Sequence, residues 1–325
     1  MLAVSDFGVP GLLRVRVFTT EIFTAFAALY DFSRATILAL PLLGLSILVA
    51  AVAALLVGDR LVATRRGLTT ARPLTFDGWG RRASAAAACV VAVALVAPLA
   101  VLTREALGVP SVAPVVQGSR EAIRNSLVLS AIGATVVTLV AVWIGYARAR
   151  APRRFGVLAD VLFVVLFAAP STVIGVGLIG LWNRAGFFGL VYGTDGMLLL
   201  AHLARFLPVA ALALAAGIRY VPISHEEAAV VGGAGWWRTM VRIVLPQTRL
   251  ALLATWIVIF ILAFGELGAS ILVAPPGETT LPIRIYTIIA NAPAAHVAAL
   301  ALLQTAVVLA PLVLLAVGVG MRHPR

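Results

Sequence analysis

The chain has 325 residues, 62% of them hydrophobic, and a formal net charge of +12. All 25 basic residues are Arg, and the mean hydropathy of +1.07 lies far above that of soluble domains, which argues against both a water-soluble enzyme and a basic nucleic-acid binder. With Lys absent, the G-x-x-x-x-G-K-[ST] phosphate loop cannot be formed.

A bilayer core takes roughly 20 apolar residues per crossing helix. Seven stretches meet that requirement: about 36–57, 84–103, 126–147, 157–182, 197–217, 250–273 and 297–319. The expected class is an all-α polytopic membrane protein with about seven transmembrane helices, embedded in the lipid bilayer. Arg sets the orientation. Sixteen Arg lie in 58–83, 148–156, 218–249 and the tail, against eight in the alternate segments, so the first set, with the C-terminus, is expected in the cytoplasm.

Met1–Ala35 lacks the basic region and apolar run of a signal peptide. It does match a later stretch. Asp6-Phe7-Gly8-Val9-Pro10 is similar to Glu266-Leu267-Gly268-Ala269-Ser270 at an offset of 260, and Glu21-Ile22-Phe23-Thr24 to Arg284-Ile285-Tyr286-Thr287 at 263. A self-match of this kind implies two related halves, unless Met1–Ala35 is a simple extension. The Arg-rich connector 58–83 then leads into span 84–103, which holds the one cysteine, Cys89, expected to be a small buried apolar residue, and Pro98, an expected kink. Residues 104–125 form an outer loop, and Arg148–Arg154 a basic turn at the inner surface.

Span 157–182 carries Pro170, Ser171 and Thr172 near its middle and Gly175, Gly177 and Gly180 beyond them. Glycines so spaced allow close helix approach or local unwinding beside a pathway. Span 197–217 contains Arg205, and the outer part of 250–273 contains Glu266 between Gly265 and Gly268. A charge at membrane depth costs about 3 kcal/mol on insertion scales, so each should face protein or water. Arg205 either lines a pathway or its gate, or is a structural partner for Glu266 or for a helix C-terminus. Glu266 is a pathway or gate residue or a packing hydrogen bonder. His202, one turn before Arg205, reads as a packed histidine; His225, His296 and His323 form no ligand cluster with it. No metal site, cofactor or catalytic residue is expected.

The loop 218–249 is the most informative stretch. A helix is expected from Ser224 as N-cap, with Glu226 and Glu227 in its first turn. Gly232, Gly233 and Gly235 end it, a second short helix follows from Trp236 to about Val244, and Pro246 opens the next. Two short helices set at an angle suit docking into a groove rather than catalysis. Glu227-Ala228-Ala229, then Gly233 after three residues, then Ile243-x-Leu245-Pro246 after nine, resembles the EAA signature of ABC importer permeases. A DNA-binding helix–turn–helix carries similar spacing, but not between membrane spans.

The resemblance implies a type I importer permease fold in the second half, with this loop inserting into a cleft on a cytoplasmic ATP-binding subunit dimer. It also implies an extracytoplasmic solute-binding protein docking near 275–296, a second permease half, and no nucleic acid partner. Pro170–Arg184 is similar to a segment of the iron-type permeases, and the internal match resembles their fused two-half chains and those of their thiamine relatives. The expected organisation is residues 1–57 as part of a first half, 58–83 as a cytoplasmic linker, and 84–321 as a complete six-span domain. The chain itself is then expected to be truncated or fragmentary. The expected function is ATP-driven import across the bacterial inner membrane by alternating access, of ferric iron first and thiamine second. A secondary transporter driven by an ion gradient is the alternative. Coupling is assigned to Glu227, Ala228, Ala229, Gly233, Ile243, Leu245 and Pro246; the pathway or gate to Glu266, Arg205, Gly268, Pro170 and Thr172.

Overall fold

A computed structural model describes residues 8–12, 15–62, 78–110 and 112–320. Among these no strand occurs; the elements are helices. The longer ones, with the short ones that matter for the site, are α1 (Phe18–Phe23), α2 (Phe32–Val62), α3 (Trp79–Ala106), α4 (Arg120–Arg150), α5 (Arg153–Ala168), α6 (Ser171–Trp182) and α7 (Asp195–Arg219). They continue as α8 (Ile223–Val231), α9 (Trp236–Thr239), α10 (Arg249–Phe264), α11 (Ser270–Val273), α12 (Leu281–Ile288) and α13 (Ala294–Gly320). Five helices are long and apolar enough to cross a membrane, or up to seven if each of two bent pairs counts as one crossing.

The bends revise two of the expected spans. Stretch 157–182 is two helices, α5 and α6, meeting at 93°. Ala169 and Pro170 are both extended, as proline and the residue before it demand, so the helix stops there. Stretch 250–273 is also not one span. α10 ends at Phe264, the chain unwinds through Gly265–Ala269, and α11 is a single turn. The apolar run extends backwards instead, as Trp236–Gln247 joined to α10 at 74°. The connector is also shorter than expected, because α2 runs on to Val62 and α3 starts at Trp79. Asp6, Arg14, Arg65, Arg66, Arg72 and the tail Arg322–Arg325 lie outside the described residues.

The core forms where α4, α7 and α10 pack. α4 contributes Ala134, Val137 and Ala141, α7 contributes Phe206, Ala210, Ala211 and Leu214, and α10 contributes Ile259, Phe260 and Phe264. Small residues let the backbones of α4 and α7 approach closely. At Gly145 a Cβ would stand 3.1 Å from the Ala211 carbonyl oxygen and the Ala215 amide. α3 differs in kind: it rests on α13 and buries none of its residues. Cys89 is therefore exposed, contrary to the expectation of a buried thiol. An apolar helix that rests on one neighbour and buries no residue is what a lipid-facing span presents.

His202 is a packed residue, 3% exposed, with its ring against Phe206 and its Nδ1 lacking a partner. A Cβ on Gly133 would lie 2.6 Å from that Nδ1. Gly133→Ala is therefore expected to destabilise the bundle by about 1–3 kcal/mol, the usual cost of overpacking. The check is the thermal midpoint in detergent, with most of the loss recovered when His202→Ala is added.

Candidate functional sites: an exposed elbow and a buried ion pair

The elbow begins at Val221 and Pro222. Pro222, extended, is the N-cap of α8, two residues earlier than the Ser224 cap that local preference suggests. Glu226 falls in the first turn, where the helix dipole favours an acid. At the far end the Gly233 amide donates to the Val230 carbonyl and the Ala234 amide to the Ala229 carbonyl, each at 2.9 Å. That pairing is a Schellman cap, and it sets Gly233 at φ +77°, a conformation that costs little only for glycine. Gly235 is the extended N-cap of α9, a π turn spans Met240–Val244, and Pro246 lies in the first turn of the next helix.

The signature residues separate by exposure. Glu227, Ala228, Gly233 and Pro246 face solvent, beside exposed Val230, Val231, Trp236 and Trp237. Ala229, Ile243 and Leu245 are half-buried, and their neighbours Met240 and Val244 enter the main core. One face of the elbow is thus anchored and the other is free.

What fastens the elbow to the bundle escaped the sequence reading. The Arg150 guanidinium donates from Nε to Glu226 Oε1 at 3.0 Å and from Nη2 to the Val221 carbonyl at 3.1 Å, and a second Nη2 contact closes the ion pair with Glu226. The Tyr146 hydroxyl donates to Glu226 Oε2 at 2.7 Å. Above them the Trp143 ring stacks on Trp237, with centroids 5.5 Å apart, and meets Trp236 at 5.6 Å. Trp143, Tyr146 and Arg150 stand at i, i+3 and i+7 on α4, one helical stripe; that spacing was the available signal.

The second site lies along the bundle. Arg205 is 14 residues before the end of α7, ~21 Å along the axis from Arg219. Arg205 Nε stands 2.8 Å from Glu266 Oε2, and the two residues are 7% and 8% exposed. Glu266 Oε1 accepts the Ala269 amide at 2.8 Å, which ties the unwound stretch after α10 to α11. Both charges line a cavity of about 300 Å³ with Ser171, Gly268, Tyr286 and Gln304. Of the residues assigned to a pathway, the structure brings Arg205, Glu266 and Gly268 together. Pro170 and Thr172 are buried beside this site but do not line it; Ser171 between them does. Among the described residues no group of three or more His, Cys, Asp or Glu is set to hold a metal ion.

Two contacts bear on the internal match. Gly8 and Gly268, equivalent at offset 260, line the same cavity. Phe23 and Tyr286, equivalent at offset 263, meet edge to face with centroids 6.4 Å apart.

An all-α, multi-pass membrane protein with an anchored elbow between its helices is the class that this geometry defines. Residues 123–320 match the family described as the binding-protein-dependent transport system inner membrane component. The chain belongs to that family. Its relatives include two proteins named, in both cases provisionally, for their cargo. One is the 2-aminoethylphosphonate transport system permease protein PhnV of Salmonella paratyphi A, 27% identical over 193 residues, covering 58% of this chain and 71% of the relative. The other is the ferric transport system permease protein FbpB 1 of Haemophilus influenzae, 28% identical over 171 residues, covering 53% of this chain but 26% of that longer relative. The molybdenum transport system permease protein ModB of Escherichia coli is 30% identical over 145 residues, covering 41% of this chain and 63% of ModB.

Proposed function

We propose that the chain is the membrane-spanning subunit of an ATP-driven importer, carrying a small solute delivered by an extracytoplasmic binding protein. The observation that carries this reading is the elbow: a fixed underside, wired to α4, and an exposed upper face bearing Glu227, Ala228 and Gly233. ATP would be hydrolysed on a separate cytoplasmic subunit dimer seated on that face. Movement of the elbow would then pass to α4 through the Glu226–Arg150 pair and the Trp143 stack. The cavity at Arg205 and Glu266, lined by Gly8 as well as Gly268, suits a pathway between two related halves, if residues 1–57 belong to a first half. The charge asymmetry supports a cytoplasmic elbow and C-terminus. For the solute, the resemblance of Pro170–Arg184 favours ferric iron and then thiamine, while the relatives' names add a phosphonate and molybdenum.

The test is co-purification of the full chain with its ATP-binding subunit. Glu227→Lys, which reverses an exposed charge, and Gly233→Pro, which cannot adopt φ +77°, should each abolish association and ATPase stimulation. Gly235→Ala, at φ −69°, should leave both intact. Unchanged association in the first two variants, or transport by the chain alone in vesicles free of ATPase, would overturn the reading in favour of an ion-driven carrier.

A further inference from the structure

The buried pair is balanced in charge but not in hydrogen bonding. Glu266 has both oxygens engaged, one by the Ala269 amide and one by the Arg205 guanidinium. Arg205 is left short. Its Nε meets Glu266 as an ion pair without hydrogen-bond alignment, and its Nη1 is buried with no partner. Arg205 Nη1 is therefore buried donor capacity at the site. A buried donor without an acceptor is costly, so a ligand that brings acceptor oxygens relieves that cost on binding. A guanidinium fork matches oxyanion geometry. The cavity of about 300 Å³ adds Ser171, Tyr286 and Gln304, whose hydroxyl and amide groups suit the same kind of ligand.

From this we infer that the cavity binds a small oxyanion, of the phosphonate or tetrahedral oxoanion class, with Arg205 as its anchoring donor. Glu266 is the counter-charge that keeps the empty site neutral. A cationic solute fits less well: the carboxylate it needs is already paired with Arg205, and it would meet the like charge of the guanidinium. The inference rests on the importer reading and sharpens its substrate, moving the choice from a metal cation to an oxyanion.

The experiment is calorimetric titration of the detergent-purified full chain with methylphosphonate and with molybdate, and with thiamine as the cationic probe. One of the two oxyanions should bind, and thiamine should not. Pairing Arg205→Gln with Glu266→Gln keeps the site neutral and near its original volume; it should weaken oxyanion binding about 30-fold, the worth of a charged hydrogen bond. Glu266→Gln alone frees the guanidinium and should leave binding equal or tighter. If the double variant fails to fold, the single variant decides. Absence of binding for both oxyanions, retention of affinity in the double variant, or loss of affinity in Glu266→Gln would each overturn the site. Gly233→Pro, at the elbow, should leave oxyanion binding unchanged. Failure of the importer reading would therefore appear in the ATPase assay and failure of the oxyanion site in the titration.

Discussion

Arg148→Met is expected to lower the stability of the bundle by about 3 kcal/mol, because it strands the Asp160 carboxylate without its cation. Arg148 is 7% exposed at the end of α4. Its Nε donates to Asp160 Oδ1 at 2.6 Å, a second contact joins Nη2 to Oδ2, and its head lies directly on Gly156, where a Cβ would collide with Nη1. Together these close the turn between α4 and α5. Such pairs are asymmetric. Removing Arg148 leaves the half-buried Asp160 without its cation, whereas removing both leaves only apolar surface. Arg148→Met with Asp160→Leu should therefore regain most of the loss. Thermal midpoints in one detergent, at one protein concentration, check both statements; a double variant no more stable than the single one would refute them.

Glu226→Gln should leave the bundle folded and loosen the elbow. Glu226 accepts from the Tyr146 hydroxyl and from two nitrogens of Arg150, and both members of the ion pair are half-buried. Losing the charge on one acceptor of such a set costs about 2 kcal/mol, which shifts a docked-to-undocked equilibrium about 30-fold. A second effect follows in the aromatic stack. Trp143 and Trp237 lie parallel within 13°, with Trp236 beside them. A detached elbow would separate these rings, so tryptophan emission should change in Glu226→Gln and not in Glu227→Gln, whose side chain is on the exposed face. Equal spectra in both variants would remove Glu226 from the latch.

The elbow was readable in advance because its signals are local. Gly233 permits a positive φ that other residues resist and Pro246 fixes its own φ, whatever surrounds them, and the Schellman cap needs only the next few residues. Membrane helices were readable because hydropathy sums over about 20 residues. The same averaging hid the bends: a break of one or two residues at Ala169–Pro170 scarcely alters a window mean. It also misplaced the crossing at 250–273, since a mean over about 20 residues absorbs the five residues Gly265–Ala269 in spite of Glu266 and two glycines. Arg205 and Glu266 could be flagged by the cost of burying charge, but two readings remained for each until 61 positions of chain folded back to join them. The Glu226–Arg150 latch, with 76 positions between its members, gave no such warning, because both residues look like ordinary loop charges beside a membrane.

The corner at Pro170 has one more consequence. Proline has no amide hydrogen, so no backbone bond bridges the corner through its nitrogen; the Ala169 amide turns back to Leu166 and the Pro170 carbonyl looks forward to Ile174. α5 and α6 are thus each closed within themselves. A few degrees of swing between them stretches no backbone hydrogen bond across Pro170, and in a medium without water to repair a broken one, that favours movement at this corner.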